Sequence, residues 1–579
     1  MWLPATQVRS KYKNHNRCFL FVHGSIMWYT IRVHPGWPDK TQRISKRITM
    51  PVQAIMGIEN EYPVTVTLAQ KSTGKRIFVS PSAAKGVINH IPRATEQQFM
   101  PNGGRAYIDT GNHVEYCTPE CSNPTDVVRF LVAGDMLVNR GARKILHAGD
   151  FKRWVGRELY DAGADRYFYV EAEDRLEIVF RKGNIDYYDG ATWGCHENYA
   201  LVWPDTSTRR SLSMESDEGA RILGNHLASR IILAGSGGFT FNYRGRNEDA
   251  FVLSPRLSLY GRFPEDDLDI FNDEMWEDFE TPCGRADAKG CHCEKDDQVV
   301  RCWNGQFAGH KSDQRGRYAY RLHLKVGENT ASQMSTYLKV GTTALVVVLM
   351  ENGVTLDPKY SLGKRIYAAS HIFNRDPMCR TKIKSSTGEK INAVDIQREL
   401  ARLVSENLER KWMPPWAGEF VETWNSVLDA IEEAGPDGVC TCLEWAMKYK
   451  LLMGKEMSWK KRRALDTAFT EMKPNGLFRT LEKRGLINHK VVSEWSARKA
   501  INTPPQDTRA KLRGEAVKNL GSSCTMNWGW VCNDQAGEFV DLSNPFESNQ
   551  EWHKVPTDRA CNHIQCWTEI INGHPSRAC

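Results

Sequence analysis

Acids at alternate positions of strand-like segments constrain this chain more than any other feature. Ala54 to Leu68 alternates and is rich in β-branched residues, which predicts a strand. Gly104 to Asp109 predicts a second strand, Thr110-Gly111-Asn112 a turn, and His113 to Thr118 the returning strand of a hairpin. Residues two apart on a strand face the same way. Glu59 and Glu61 therefore project together, Arg105, Tyr107 and Asp109 share one face, and Glu115 stands on the return strand. Clustered carboxylates repel one another, and an apolar core does not tolerate them unpaired. One resolution is a set of divalent cations. Oxygen ligands suit Mg²⁺, which bridges carboxylates and nucleotide phosphates, and Arg105 is then placed for an ATP phosphate. The other is the polar outer face of a half-solvated sheet. Spacing alone leaves both open.

Two further elements carry candidate chemistry. At Trp193 to Tyr199 a glycine turn leads into a strand with His196 and Asn198 on one face. A neutral imidazole is a common metal ligand and an amide can position a carboxylate, although a lone His is more often structural. Arg321 and His323 are again two apart on a predicted strand, followed by Lys339-Val340-Gly341-Thr342-Thr343, a set able to clamp phosphate. No P-loop pattern is present, so a nucleotide site here is of another type.

The rest of the chain reads as an antiparallel sheet with helices on one face, an α+β architecture. Further strands are expected at Tyr167–Ala172, Leu176–Phe180, Glu197–Val202 and Arg321–Val326. Pro124–Ala148 and Gln333–Glu351 have helical spacing. From Asp395 to Arg484 the pattern is mostly helical, and Pro504-Pro505 opens a smaller C-terminal unit. Three regions result: 1–49, a basic extension; 50–500, the catalytic body with a polar insertion at about 265–316; and 501–579. The extension holds nine Lys/Arg against Asp39, more than the whole chain's net +7, so the body is close to neutral and offers no nucleic-acid footprint. The extension is either a basic arm or lies ahead of a true start at Met50 or Met56. The longest apolar stretch, Ala344 to Met350, is too short for a bilayer, and no signal-peptide pattern opens the chain. A cytoplasmic protein with no membrane partner is expected, its 16 cysteines reduced thiols.

Seven ordered stretches now make a family resemblance. They are Met56–Tyr62, Asn102–Asp109, Glu115–Cys121, Gly194–Tyr199, Tyr337–Thr342, Asp395–Glu399 and Pro504–Ala510. Together they resemble the Pup ligase and Pup deamidase (depupylase) family from about Met56 to Phe546. The resemblance implies a glutamine synthetase-like fold with a small C-terminal domain, ATP and Mg²⁺ as cofactors, and a Pup-like modifier and lysine-bearing proteins as partners, with the proteasome downstream. It implies Glu59, Tyr107 and Glu115 as metal ligands, Glu61 and His196 around a second metal, and Asp109 as the catalytic aspartate. Arg105 and Thr118 match ATP contacts, Arg321 joins the nucleotide set, and Trp528 is placed beside the nucleotide with Trp530 as a competitor. Deamidases of the family carry an extra loop between the first acidic strand and the aspartate strand. Only the residues between Glu61 and Asn102 intervene here, which favours the ligase. The deamidase, a small-molecule carboxylate–amine ligase and an inactive adaptor are the alternatives. Three departures stand out: Glu328 where aspartate is usual, the Cys-rich stretch Cys283–Cys302, and a tail with Cys561, His563, Cys566 and Cys579. Neither Cys/His group has paired zinc spacing, so both read as ordinary thiols.

Overall fold

The computed structural model describes residues 19–22, 25–28, 54–259 with gaps at 80–88, 92–97, 110–112, 148–154, 162–165, 188–189, 204–217 and 242–248, then 300–303, 318–542 and most of 544–554. It divides into two compact units, Met1–Met50 and Pro51–Cys579. In the first, Phe19–Val22 pairs antiparallel with Ser25–Trp28. Strands of four residues are too short to show a periodic pattern in the sequence.

In the second unit the two sheets around the site are built from β1 (Met56–Tyr62), β2 (Val64–Ala69), β3 (Arg76–Phe78), β4 (Arg105–Ile108), β5 (Val114–Cys117), β6 (Arg175–Phe180), β7 (Cys195–Trp203), β8 (Val300–Trp303) and β9 (Tyr318–Leu324). Six form an antiparallel sheet in the order β8-β9-β7-β1-β5-β4, and β6-β2-β3 form a second sheet. The single strand expected over Ala54–Leu68 is broken at Pro63, which has no N–H to give a ladder. The chain changes sheets there. Strand β8, which carries Cys302, lies inside the stretch read as a surface insertion; the rest of 265–316, with Cys283, Cys291, His292 and Cys293, and the tail Cys/His group fall outside the described residues, as do the side chains of β8.

Alternation sorts the sheet cleanly. Ile58, Tyr62, Ala106, Val114, Tyr116, Leu322 and Leu324 are buried on one face against helices α1 (Pro124–His147) and α2 (Gln333–Glu351). Helix α2 is buried along Leu338–Met350, and its valine run packs as core. By length and composition it is apolar enough to cross a membrane, but most of it is buried inside the protein. Asn392 and Asp395 form a capping box on helix α3 (Ala393–Glu406), a structural role for the Asp395 motif.

Helix α4 (Ala510–Leu520) and strands β10 (Cys524–Met526), β11 (Trp530–Asn533), β12 (Glu538–Asp541) and β13 (His553–Lys554) close the described chain. They enclose a small core of Ala516, Val531, Val540 and Leu542. This element meets the main sheet at the hairpin base. A Cβ on Gly103 (φ +81°) would lie 2.7 Å from the Ala510 carbonyl oxygen, so the backbones approach where only glycine fits.

Candidate active site

The opposite sheet face lines a cavity of about 410 Å³. Its floor follows from strand register. Glu61 faces Glu115, Glu115 faces Tyr107, Cys117 lies between Glu59 and Arg105, and His196 faces Glu59. The neighbouring pair adds Asn198 opposite His323. Glu59, Arg105, Tyr107, Asp109, Glu115, Thr118, His196, Arg321 and Trp528 all border the cavity. Trp530 is not among its lining residues. Glu61 is not among the lining residues; its Oε2 accepts the Gly194 amide at 2.7 Å and its Oε1 stands 3.5 Å from His196 Nε2 of the lining.

Glu59 sits at the centre. Its Oε1 accepts from Arg321 Nη2 at 2.5 Å and Asn198 Nδ2 at 3.1 Å, and its Oε2 lies 3.3 Å from His323 Nε2 and 3.6 Å from His196 Nδ1. Burial works to raise its pKa, but His196, His323 and Arg321 together hold it well below the usual carboxylate range. Burial pushes His323 down to about 4, so it is a neutral imidazole at pH 7 and Arg321 is the permanent cation beside Glu59. Glu115 behaves oppositely. Burial and the neighbouring Glu59 charge push its carboxyl well up, although the Tyr107 hydroxyl donates to it at 2.6 Å. Around Glu115, then, the acids outweigh the positive charge the protein supplies.

Three donor groups each have ligand atoms within 4.8 Å of one another: Glu59, His196 and His323; Glu61, Asp109, His113 and Glu115; and Glu59, Glu115 and Cys117. Among the described residues, Arg105 Nε and His113 Nε2 have no hydrogen-bond partner although both are buried atoms. Carboxylates and imidazoles with unspent polar atoms fit divalent metal and phosphate. The sequence reading named His323 without making it a ligand and passed over His113 and Cys117. Their signal was the same two-residue alternation, for Cys117 after Glu115 and for His113 two before it.

Other candidates lie elsewhere. Lys339 does not reach the cavity: it is buried within α2 and its Nζ donates to the Glu328 carbonyl at 2.9 Å. Thr342 and Thr343 turn to the core beside His226. The helix expected over Gln333–Glu351 is present, but it turns these residues into the core, so the phosphate clamp expected there is corrected. Thr118 lines the cavity, but its Oγ1 already accepts the Ile58 amide at 3.0 Å. Glu328, the departure noted above, is a buried hub accepting from Ser236 N, Ser254 Oγ and Arg256 N.

Comparison with known proteins follows the same outline. The family model described as Pup-ligase protein matches residues 54–260 and 310–532. The chain is 28% identical over 517 residues to Pup–protein ligase 1 of Rhodococcus erythropolis, covering 86% of this chain and 97% of that protein. It is 29% identical over 520 residues to the Pup–protein ligase of Gordonia bronchialis, with the same coverage. The solved complex between the prokaryotic ubiquitin-like protein Pup and its ligase PafA shares the fold, with a TM-score of 0.62 at 23% identity over 86% of this chain and 91% of that one. The structure of the Pup ligase PafA with ADP aligns at 0.56 and 23%, over 78% and 87%. Matched by that family model over most of its length, this chain belongs to the Pup ligase family.

Proposed function

We propose that the chain is an ATP-dependent Pup–protein ligase. It joins the C-terminal glutamate side chain of a Pup-like modifier to lysines of other proteins. The γ-phosphoryl group of ATP passes to the glutamate carboxylate, releasing ADP and leaving an acyl phosphate. A lysine amine then attacks the acyl carbon, forming the isopeptide bond and releasing phosphate. One observation carries the assignment of roles. Asp109 follows β4 at the cavity with its side chain 37% exposed, against 10% for the Glu61 side chain, and Glu115 beside them is buried. The buried acids suit a metal bed, and the exposed one can meet a lysine arriving on a bulky protein.

In this reading Glu59, Glu61, Glu115, Tyr107 and His196, joined by His323, would hold Mg²⁺, which offsets charge on the transferring phosphoryl group. Arg105, with an unspent Nε, takes phosphate oxygen. Arg321 keeps Glu59 ionised and in place. Asp109 Oδ accepts a proton from the lysine ammonium, which is inert until deprotonated. Trp528 walls the nucleotide base. We place the enzyme in the cytoplasm, where ATP is supplied, with its conjugates passing to a proteasome. The link between β1 and β4 is taken up in part by β2 and β3, which supports ligation over deamidation.

Incubation with ATP, Mg²⁺, a Pup-like protein ending in glutamate and an acceptor protein tests this. Wild type is expected to form conjugates, and Asp109→Asn to form none while still binding ADP. Cleavage of preformed conjugates with no new ones would make the deamidase the correct reading.

A further inference from the structure

Resting on that nucleotide reading, we infer that Arg513, clamped by Glu120, is a positioning residue that sets Trp528 as the wall of the nucleotide cavity. It thereby couples docking of the C-terminal element to nucleotide affinity. Arg513 is fully buried on α4, outside the acidic floor. Its guanidinium is divided among three acceptors from three places: the Gly103 carbonyl at 3.0 Å, the Trp528 carbonyl at 3.3 Å, and Glu120 Oε2. Its Cζ lies 4.6 Å from the Trp528 ring and 5.5 Å from the Phe99 ring. Trp528 in turn meets Phe99 edge-on at 5.2 Å.

The stack continues into the cavity. Arg105 lies 5.4 Å from Phe99 and 4.7 Å from the Tyr107 ring. Cations and aromatic faces thus alternate from Trp528 to the floor. Each such contact favours one ring orientation. Arg513 holds both the backbone and the ring of Trp528, so a shift of its fork moves the wall. Glu120 fixes the fork from the main sheet side, and a planar guanidinium satisfies that geometry where a point-charge ammonium does not.

The test is ADP binding by titration calorimetry on the full chain, with Arg513→Met, Trp528→Ala and the double variant. Hydrogen exchange of residues 524–542 in the absence of nucleotide is the second readout. Arg513→Met is expected to weaken ADP about five- to tenfold, the scale of a lost buried cation–π contact with its hydrogen bonds, and to speed exchange at Trp528–Trp530. The double variant is expected to match Trp528→Ala alone, because both act through one wall. If Arg513→Met fails to fold, Glu120→Gln keeps the guanidinium and its two carbonyl bonds and is expected to weaken ADP by a smaller factor in the same direction. ADP affinity within twofold of wild type, or additive effects in the double variant, overturns the relay. A wild type that binds no ADP overturns the nucleotide reading beneath it as well.

Discussion

Behind the candidate metal face lies a buried ion pair whose removal gives a sharp prediction. Glu197 stands between His196 and Asn198 on β7 but points to the helix side. Arg230 meets it bidentately, Nη1 to Oε2 and Nη2 to Oε1, both at 2.7 Å, with side chains 4% and 0% exposed. The Tyr199 hydroxyl donates to the same carboxylate at 2.7 Å. Arg230→Met keeps length and removes the charge. Two charge-assisted bonds are worth about 1.5–3 kcal/mol each, and stripping one partner from a buried pair costs about 3–5 kcal/mol. That corresponds to a loss of about two to three and a half orders of magnitude in amide protection on β7, read by native-state hydrogen exchange. Combining it with Glu197→Leu removes the stranded anion and should recover most of the loss, since apolar replacement of both partners is often close to neutral. Protection on β7 reduced less than about tenfold in Arg230→Met would refute the reasoning, because it would mean that Glu197 finds water or another cation.

Three other perturbations follow from the same packing. A Cβ on Gly134 would lie 2.2 Å from the Tyr116 ring, so Gly134→Ala forces α1 off β5; a loss of about 1–3 kcal/mol is expected in urea unfolding, with weaker conjugation because Glu115 is Tyr116's neighbour. Burial alone would raise Glu120, but Arg513 and Arg509 hold its carboxyl down at about 2 against an ordinary 4.5. Its contribution, about 3 kcal/mol, is therefore present above pH 4.5 and lost as pH falls towards 2, so the stability deficit of Glu120→Gln at pH 7 should shrink progressively below pH 4.5 in urea midpoints. Trp528→Ala should raise KM for ATP about tenfold or more, in line with the loss of a stacked aromatic wall, whereas Trp530→Ala should move it little, as measured by steady-state conjugation.

Much of the function was legible in the order of residues. Side chains on a strand alternate strictly, so Glu59 with Glu61, Arg105 with Tyr107 and Asp109, His196 with Asn198, and Arg321 with His323 had to share faces once their segments were strands. The α+β class and the Pup ligase family followed from those motifs in sequence. Local chemistry misled at Lys339 to Thr343, which carry phosphate-binding residue types: the helix was legible there, but that packing buries it on all sides was not. Pro63 showed its effect on the ladder only once β1 and β2 were seen in separate sheets. What tertiary structure decided was pairing between distant segments. Register brought His323 against Glu59 across 264 positions of sequence and left Arg230 opposite Glu197 behind them. Docking of α4 placed Arg513 between Glu120 and Trp528 and put Trp528, rather than Trp530, at the cavity. Periodicity fixes which side of its own strand a residue faces; which partner waits there depends on contacts that only the folded chain makes.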